Sequence, residues 1–335
     1  QQSAFADRLT PGLFAVDRDS DGDPAKVRQL IERDRGRVRL TRRDDRVLSP
    51  IYQLANVIRD GGDDITVSGR IRTARGDTYS LDVLRQNTRS GRVNTMADAQ
   101  PPKRSRQWWA DDRGQARLAV VEADDNQSVS VQWRERPGGD WQPLFSRPVV
   151  RSGEDLLRVQ ALGPDGRVYL VMVQPGDADG TSALYRVDAT TQQPEAQPVL
   201  VLRGFDFHGR LIFDAAAKRL LGVRYLADTW STAWLDADMQ ALQSGVDNKL
   251  PGLVNLLDGA ECGCTPHLIV TSFSDVQPPL YWLLDRRNTE LSPLGRARPR
   301  IDARRMARRE LTRIAARDGL GLPVYLTRPA GTGPW

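Results

Sequence analysis

Short apolar runs separated by polar turns recur along almost the whole chain. IYQLANVI, ARLAVVEA and VYLVMVQ are examples, each bounded by Gly, Pro, Asp or Asn residues that favour turns. Runs of this length with many β-branched and aromatic residues are typical of β-strands. The pattern therefore predicts an all-β protein.

The strands recur as a larger unit, in which an aromatic strand is followed by an Asp, a polar turn and a short strand ending in Leu. The unit is clearest in LFAVDRDSDGDPAKVRQL (13–30), LYRVDATTQQPEAQPVL (184–200) and LYWLLDRRNTELSPL (280–294). It is looser in 79–93 and 131–145, and 232–242 keeps the first half only. The aromatics are Phe14, Tyr79, Trp133, Tyr185, Trp234 and Tyr281, at intervals of 65, 54, 52, 49 and 47 residues. The last four intervals fit a four-stranded propeller blade, whose period is about 40 to 50 residues.

Two further strands are predicted before each of the last five aromatics. Each blade then consists of an inner strand, a second strand, the aromatic third strand and an edge strand. The predicted inner strands are 51–58, 105–111, 156–163, 207–213 and 253–258. Because Phe14 belongs to a third strand, the chain enters in mid-blade. The fold class is therefore a β-propeller with five complete blades and part of another.

Two segments interrupt the repeat. Residues 236–250 have helical spacing, with Met239, Leu242 and Val246 on one face, and predict a helix inserted between blades. RDRGRVRLTRRDDR (33–46) is highly charged and predicts an exposed loop or hairpin.

The end of the chain predicts a separate β-hairpin. Residues 311–316 and 320–328 are β-prone and flank the turn residues Asp318 and Gly319. The apolar positions that would lie on one side are Ile314, Leu322, Val324 and Leu326. An isolated hairpin is marginally stable, so we expect these strands to need a partner surface and to pack poorly without one.

Composition narrows the function classes. The 335 residues carry a net charge of +5, with 44 Arg and four Lys, but the cations are interleaved with 43 acidic residues, which disfavours nucleic-acid binding. So strong an Arg preference is typical of a GC-rich genome. No apolar run approaches the roughly 20 residues of a membrane helix, so no membrane span is predicted. The chain opens on Gln1, which indicates that its natural start was removed or lies upstream, and the compartment stays open between periplasmic or secreted and cytoplasmic in a bacterium.

Candidate catalytic residues are scarce. The G-x-S-x-G elbow of α/β-hydrolases is absent, and the nearest stretch, residues 180–184, lacks the second Gly. His208 and His267 are the two histidines, and neither has a partnered nucleophile in the sequence. The pairs Asp44-Asp45, Asp63-Asp64 and Asp124-Asp125 sit at predicted turns.

A metal or disulfide site is also poorly supported. Cys262 and Cys264 are too close for an easy disulfide, and with His267 they form weak spacing for zinc. The sequence therefore predicts no catalytic residue, no metal ligand and no cofactor.

Four segments resemble the prolyl oligopeptidase family of serine peptidases, and most of all its bacterial acylaminoacyl- and dipeptidyl-peptidase-like members. They are GRLIFDAAAKRLLGVRY (209–225), ALQSGVDNKLPGLVN (241–255), VTSFSDVQPPLYWLLDR (270–286) and RIAARDGLGLPVYLTRPAG (313–331). In that family a β-propeller precedes an α/β-hydrolase domain, which the ARDG-x-x-(L/I)-P-x-Y-L segment opens.

The resemblance implies a propeller over residues 1–296, and a linker with the first hairpin of a truncated hydrolase domain over 297–335. The nucleophile elbow, the Asp, the His and the oxyanion motif would all lie farther on, so this chain alone is expected to be inactive. The implied partners are the C-terminal hydrolase domain of the same parent chain and a peptide substrate. The propeller would cover the active-site cavity and restrict access to short peptides.

Two other functions are compatible with a propeller. A stand-alone binding scaffold of the WD-repeat or TolB-like kind explains the blades but not the ARDG hairpin. A propeller enzyme such as a glycosidase or a metal-dependent lactonase needs carboxylates or His converging on the central channel, and the sequence shows no convincing set.

Overall fold

The computed structural model describes residues 12–17, 19–20, 23, 26–32, 47–58, 60–72, 79–96, 100–124, 127–148, 158–176, 180–188, 191, 193–260, 265–319 and 321–328. The predicted charged insertion, 33–46, lies outside the described residues. The chain divides into two compact units: residues 1–155 with 187–194, and residues 156–186 with 195–335. Each unit is described by itself.

The first unit contains three antiparallel sheets in which chain neighbours pair. The first sheet has two strands, β1 (Gly12–Ala15) and β2 (Arg28–Glu32). The second has four: β3 (Tyr52–Val57), β4 (Asp64–Arg72), β5 (Tyr79–Asn87) and β6 (Val93–Thr95). The third also has four: β7 (Ser105–Ala110), β8 (Ala116–Glu122), β9 (Ser128–Trp133) and β10 (Gln142–Pro148).

The second unit continues the same meander. Its first sheet has β11 (Arg158–Leu162), β12 (Val168–Val173) and β13 (Ser182–Asp188). The end of β13 and the two-residue β14 (Gln193–Pro194), which pair with each other, belong to the first unit. The next has β15 (Gly209–Asp214), β16 (Arg219–Leu226) and β17 (Trp230–Trp234), followed by helix α1 (Ala237–Lys249). Then come β18 (Val254–Asp258), β19 (His267–Phe273), β20 (Leu280–Asp285) and β21 (Glu290–Arg296). A separate hairpin, β22 (Arg309–Ala315) and β23 (Gly321–Thr327), completes the unit.

The repeat inferred from the sequence corresponds to the strand order of these sheets. Each predicted inner strand is the first strand of a sheet, β3, β7, β11, β15 or β18, within two residues at either end. The repeated aromatics from Tyr79 to Tyr281 all lie in third strands, although the side chain of Tyr79 is outside the described residues. That the first strands surround a central channel stays a prediction.

The prediction of five complete blades is wrong for one sheet. Within residues 193–260, which are described throughout, β15–β17 gain no fourth strand. The chain enters α1 there instead, because Asp236 accepts a hydrogen bond from the Met239 N–H at 3.0 Å and caps the first turn. The predicted helix is confirmed.

Helix α1 is part of the core rather than a surface insertion. Its predicted apolar face, Met239, Leu242 and Val246, is buried. These side chains join one cluster with residues of both neighbouring sheets, among them Ile212, Leu221, Trp234, Leu257, Leu268 and Leu284. The helix thus packs between the two sheets.

Second strands are the most buried part of the sheets, since each has a strand on both sides. Val67 in β4, Leu118 in β8 and Val270 in β19 are inaccessible to solvent. The first strands have one unpaired side and are more exposed: Leu54 and Val57 in β3 are 45% and 53% exposed. Side chains on the first strands are therefore available for contacts outside the sheets.

Candidate functional site

A cavity of about 450 Å³ lies in the first unit, between the first strands of two sheets. β3 contributes Gln53 to Asn56 and β7 contributes Arg106 to Ala110, while Ser68 and Leu81 complete the lining. Both strands end their sheets, so each presents one edge that no strand in the described part of the chain covers. The cavity therefore lies between two strands that each have an edge not covered by a described strand, and Ser68 of β4 and Leu81 of β5 extend its lining across the sheet.

The turn that follows the lining residue Ala110 is tied to β3. The Asn56 side-chain amide donates to the Asp111 carbonyl oxygen at 3.0 Å, and the Asp111 carboxylate accepts from the Arg113 and Gln115 N–H groups at 3.0 Å each. Gly114 occupies the left-handed region at φ +75°, and a Cβ there would lie 2.2 Å from Thr66 Oγ1. A larger residue at this position would push the turn away from the strand.

The lining is mostly uncharged. It offers the amides of Gln53 and Gln107 and the half-buried rings of Trp108 and Trp109. Arg106 is the one charged side chain among the described residues that line it, and it is hydrogen-bonded to Glu122. That hydrogen bond holds the pKa of the Glu122 carboxyl below its usual value. The cavity can thus hold a polar, uncharged ligand with an apolar part.

The terminal hairpin forms a second candidate surface. β22 and β23 pair in full register, with Ile314 opposite Leu322, and the Gly319 N–H donates to the Ala316 carbonyl at 3.0 Å in the turn. Gly319 has φ +87°, a conformation that glycine adopts without strain. The predicted hairpin and its Asp318-Gly319 turn are confirmed.

One face of the hairpin contacts earlier parts of the second unit, to which it belongs. Arg313 donates to the Gly204 carbonyl at 3.1 Å, and the Tyr325 hydroxyl lies 2.7 Å from the Asp228 carbonyl. The Arg309 guanidinium lies 4.6 Å from the centre of the Tyr325 ring. Arg313 and Tyr325 thus hold this face to the rest of the unit through polar contacts.

The opposite face is open and apolar, since side chains alternate across a strand. We call Ile314, Leu322, Val324 and Leu326 the open face. Ile314 is 52% exposed, Leu322 and Leu326 are also exposed, and Val324 is half-buried.

The hairpin and the segment before it are cationic. Ten Arg against three acidic residues give 294–328 a net charge of +7, whereas the whole chain carries +5, so the remainder is −2. The basic character of the protein is therefore concentrated at this end.

The residues considered as catalytic candidates have structural roles. Ser182, in the stretch nearest to a nucleophile elbow, is 2% exposed. Its hydroxyl donates to Asp206 at 2.8 Å and accepts from the Phe207 N–H at 3.2 Å, so no histidine activates it. His208 lies against the Trp230 ring, with 5.8 Å between ring centres, and His267 is an exposed residue that begins β19.

The paired carboxylates likewise serve turns and ion pairs. Asp64 lies 2.6 Å from Arg85, and Asp63 lies 2.8 Å from Arg89. Asp124 is fully exposed, while Asp125 and the pair at 44–45 lie outside the described residues, as do Cys262 and Cys264.

Among the described residues, no three His, Cys, Asp or Glu side chains are grouped closely enough to hold a metal ion. No helix in the described part of the chain has the length and apolar character needed to cross a membrane.

Sequence reasoning missed the cavity of the first unit. The sequence predicts that RQWWAD (106–111) lies in an inner strand, and its two adjacent Trp residues are the one sequence signal of a binding site there. Nothing in the sequence indicates that this strand and IYQLANVI, about 50 residues earlier, lie across a cavity from each other.

No family model matches the sequence, and no curated protein matches it. Solved structures do match. A puromycin hydrolase is 13% identical, with 84% of this chain and 44% of that one covered and a TM-score of 0.49. A puromycin-hydrolyzing peptidase from Mycobacterium tuberculosis is 12% identical, with 85% and 45% covered and a TM-score of 0.47. The β-propeller domain of the Trilobed protease from Pyrococcus furiosus is 9% identical, with 80% and 76% covered and a TM-score of 0.32.

The chain is structurally similar to the β-propeller regions of prolyl oligopeptidase family peptidases. It spans less than half the length of the two hydrolases described above.

Proposed function

We propose that this chain is the noncatalytic β-propeller portion of a prolyl-oligopeptidase-like serine peptidase. In this role it covers the active-site cavity of an α/β-hydrolase domain and restricts access to short peptides. The hydrolase domain is a later part of the same parent chain, and the hairpin β22–β23 is its first element.

The observation that carries the proposal is the open face of the hairpin. Four apolar side chains alternate along one face of a regular hairpin, directly after the last four-stranded sheet, and three of them are exposed. Such a face favours a covering layer, because an exposed apolar patch on a monomer usually marks an interface. The turn between its strands is the ARDG segment by which the sequence resembles the start of a peptidase hydrolase domain.

One further feature supports a peptidase propeller over a stand-alone scaffold. The successive meander sheets provide repeating blades, which both functions share. The hairpin adds nothing to any blade, since β22 and β23 pair only with each other among the described strands. A stand-alone binding scaffold does not require a hairpin that joins no blade.

The test is to express this chain together with the coding region that follows Trp335 and to assay hydrolysis of aminoacyl-nitroanilides. We expect turnover that a serine-directed inhibitor abolishes, and we expect this chain alone to show none, because Ser182 is buried and has no histidine partner. A natural stop codon after Trp335, or a long protein without turnover on any aminoacyl- or peptidyl-nitroanilide, would favour the scaffold.

Two variants test whether the open face of the hairpin contributes to the activity of the long protein. Ile314→Asp places a charge on the open face and should lower both the activity and the stability of the long protein while leaving this chain's stability unchanged. Arg317→Asp, in the exposed turn, is the matched control and should change neither by a comparable amount. Equal effects of the two variants would argue against a hydrolase layer on the open face.

A further inference from the structure

We propose that the cavity between β3 and β7 binds a short extended segment of peptide through its main chain, and that it does not select a free amino terminus. The proposal rests on the proposed function for its ligand class, since the chain is there assigned to a peptidase. It adds a location, a binding mode and a charge preference.

The open strand edges supply the binding mode. An extended peptide can add itself to an unpaired edge, where main-chain hydrogen bonds provide affinity regardless of sequence. β3 pairs only with β4 and β7 only with β8, so within the described chain both edges that flank the cavity are available. A peptide lying between them could pair with either strand.

The irregularities of both strands limit the length of that peptide. The β3–β4 register shifts at Ala55, and the β7–β8 register shifts at Arg106 and again after Trp109. A bulge interrupts the row of main-chain donors and acceptors. The Tyr52 N–H already donates to the Ser49 carbonyl, so regular edge remains over residues 53–54 and 107–109, which suits a segment of two or three residues. The volume of about 450 Å³ also lies in the range of small-ligand sites.

The side chains of the lining favour an uncharged segment with an apolar residue. The amides of Gln53 and Gln107 can both donate to peptide carbonyls and accept from peptide N–H groups. Trp108 and Trp109 supply aromatic surface on β7, and Leu54, 45% exposed, supplies apolar surface on β3. The lining thus combines amide partners with room for one apolar side chain.

The charge of the lining disfavours an amino terminus. A protonated amine needs a carboxylate partner when it leaves water. No carboxylate is among the described residues that line the cavity, and its one charged member, Arg106, is a cation. A peptide that is acetylated at its start, or an internal segment of a longer one, therefore fits better than one that begins there.

The test uses this chain and two probes, acetyl-Ala-Phe-Ala-amide and the same peptide with a free amino group. Backbone amide chemical shifts are followed by NMR during titration. We expect the acetylated peptide to shift signals in 52–57 and 105–110 and to bind about tenfold more tightly than the free amine. Shifts confined to other strands, or none at millimolar peptide, would overturn the proposal.

A charge substitution supplies the decisive comparison. Leu54→Asp adds a carboxylate to the lining at an exposed position, so it should weaken binding of the acetylated peptide and strengthen binding of the free amine. Val57→Asp is the matched control, because Val57 is on the same strand, is 53% exposed and does not line the cavity. Identical behaviour of the two variants would show that the peptide binds elsewhere.

The two proposals fail in different ways. A long protein with peptidase activity whose propeller shows no peptide-induced shifts would refute the cavity and leave the proposed function intact. Peptide binding at β3 and β7 in a protein that lacks a hydrolase domain would support the cavity and refute the proposed function. A neutral sugar, N-acetylglucosamine, is the third titrant, and tighter binding of it than of either peptide would overturn the assignment of the ligand class.

Discussion

The sheet β18–β21 and the hairpin β22–β23 are neighbours in the chain, yet only the sheet has strands with fully buried apolar side chains. Both are antiparallel, regularly paired and built from alternating apolar positions. In the sheet, Leu268 and Val270 of β19 are buried beneath α1, whereas the corresponding apolar side chains of the hairpin face solvent. Turn residues and alternation are therefore enough to form strands, but a second layer is needed to bury them.

The largest expected difference between these regions is in amide hydrogen exchange. Amides of β19 and β20 should exchange only on global unfolding, while those of β22 and β23 need only local opening. A difference of about 4 kcal/mol in opening free energy corresponds to about 10³-fold in rate. Hydrogen exchange followed by mass spectrometry or NMR measures this ratio. Equal protection in 309–327 and 267–285 would show that the hairpin is held as firmly as the sheet.

Truncation of one apolar side chain in each region should give the next largest contrast. Leu268→Ala removes a side chain that is 1% exposed and should lower the free energy of unfolding by about 2–5 kcal/mol. Ile314→Ala on the open face should change it by less than about 0.5 kcal/mol. Urea denaturation of both variants provides the comparison, and similar losses would mean that the hairpin shares the core.

An arginine that contacts the sheet and one that precedes the hairpin should also differ in how much they stabilise the protein. Arg224 in β16 has a side chain that is 6% exposed and donates to the Asp258 carboxylate at 2.5 Å and the Leu257 carbonyl at 2.7 Å, so it ties one sheet to the next. Arg224→Ala should cost about 2–3 kcal/mol, since it removes hydrogen bonds of a charged group. Arg304→Ala, before the hairpin, removes an exposed pair with Asp302 and should leave thermal denaturation unchanged. An Arg224→Ala variant with unchanged stability would contradict the role assigned to this contact.

The smallest contrast concerns two capping aspartates. Asp236 caps α1, and its pKa is lowered first by the Met239 N–H and then by Arg219. A carboxyl with a depressed folded-state pKa stabilises above its unfolded pKa, and that stability disappears as pH falls through the folded value. Between about pH 5 and pH 2 the wild type should therefore lose about 0.5–1 kcal/mol more than Asp236→Asn, which keeps the cap without its charge.

Asp302 is the exposed counterpart of Asp236. It caps a short 3-10 turn at Ala303–Arg305, and its pKa is lowered by hydrogen bonds from Arg304. Because that turn carries no buried residue, Asp302→Asn should not alter the pH dependence of unfolding. Acid titrations monitored by circular dichroism compare the two substitutions, and a larger effect at Asp302 would reverse the ranking of the two regions.

Much of the fold was predictable because its signals are local. The spacing of the aromatics identified the third strands, and the helical positions of Met239, Leu242 and Val246 identified α1. The predicted number of complete blades is wrong because an Asp that follows an aromatic strand can start either a turn or a helix. Asp285 accepts from the Arg287 N–H at 2.9 Å and starts a turn into β21, whereas Asp236 starts a helix.

The sequence alone determined which segments form strands, where the helix lies and that the last two strands form a hairpin, because alternation, capping and turn chemistry act over a few residues. The tertiary structure decided which apolar faces are covered. It placed α1 between two sheets. In the hairpin it brought Arg313 to the Gly204 carbonyl and Tyr325 to the Asp228 carbonyl, and it left the open face exposed. It also joined Asn56 to Asp111 beside the cavity, because contact between residues 55 positions apart depends on how sheets pack and not on local pattern.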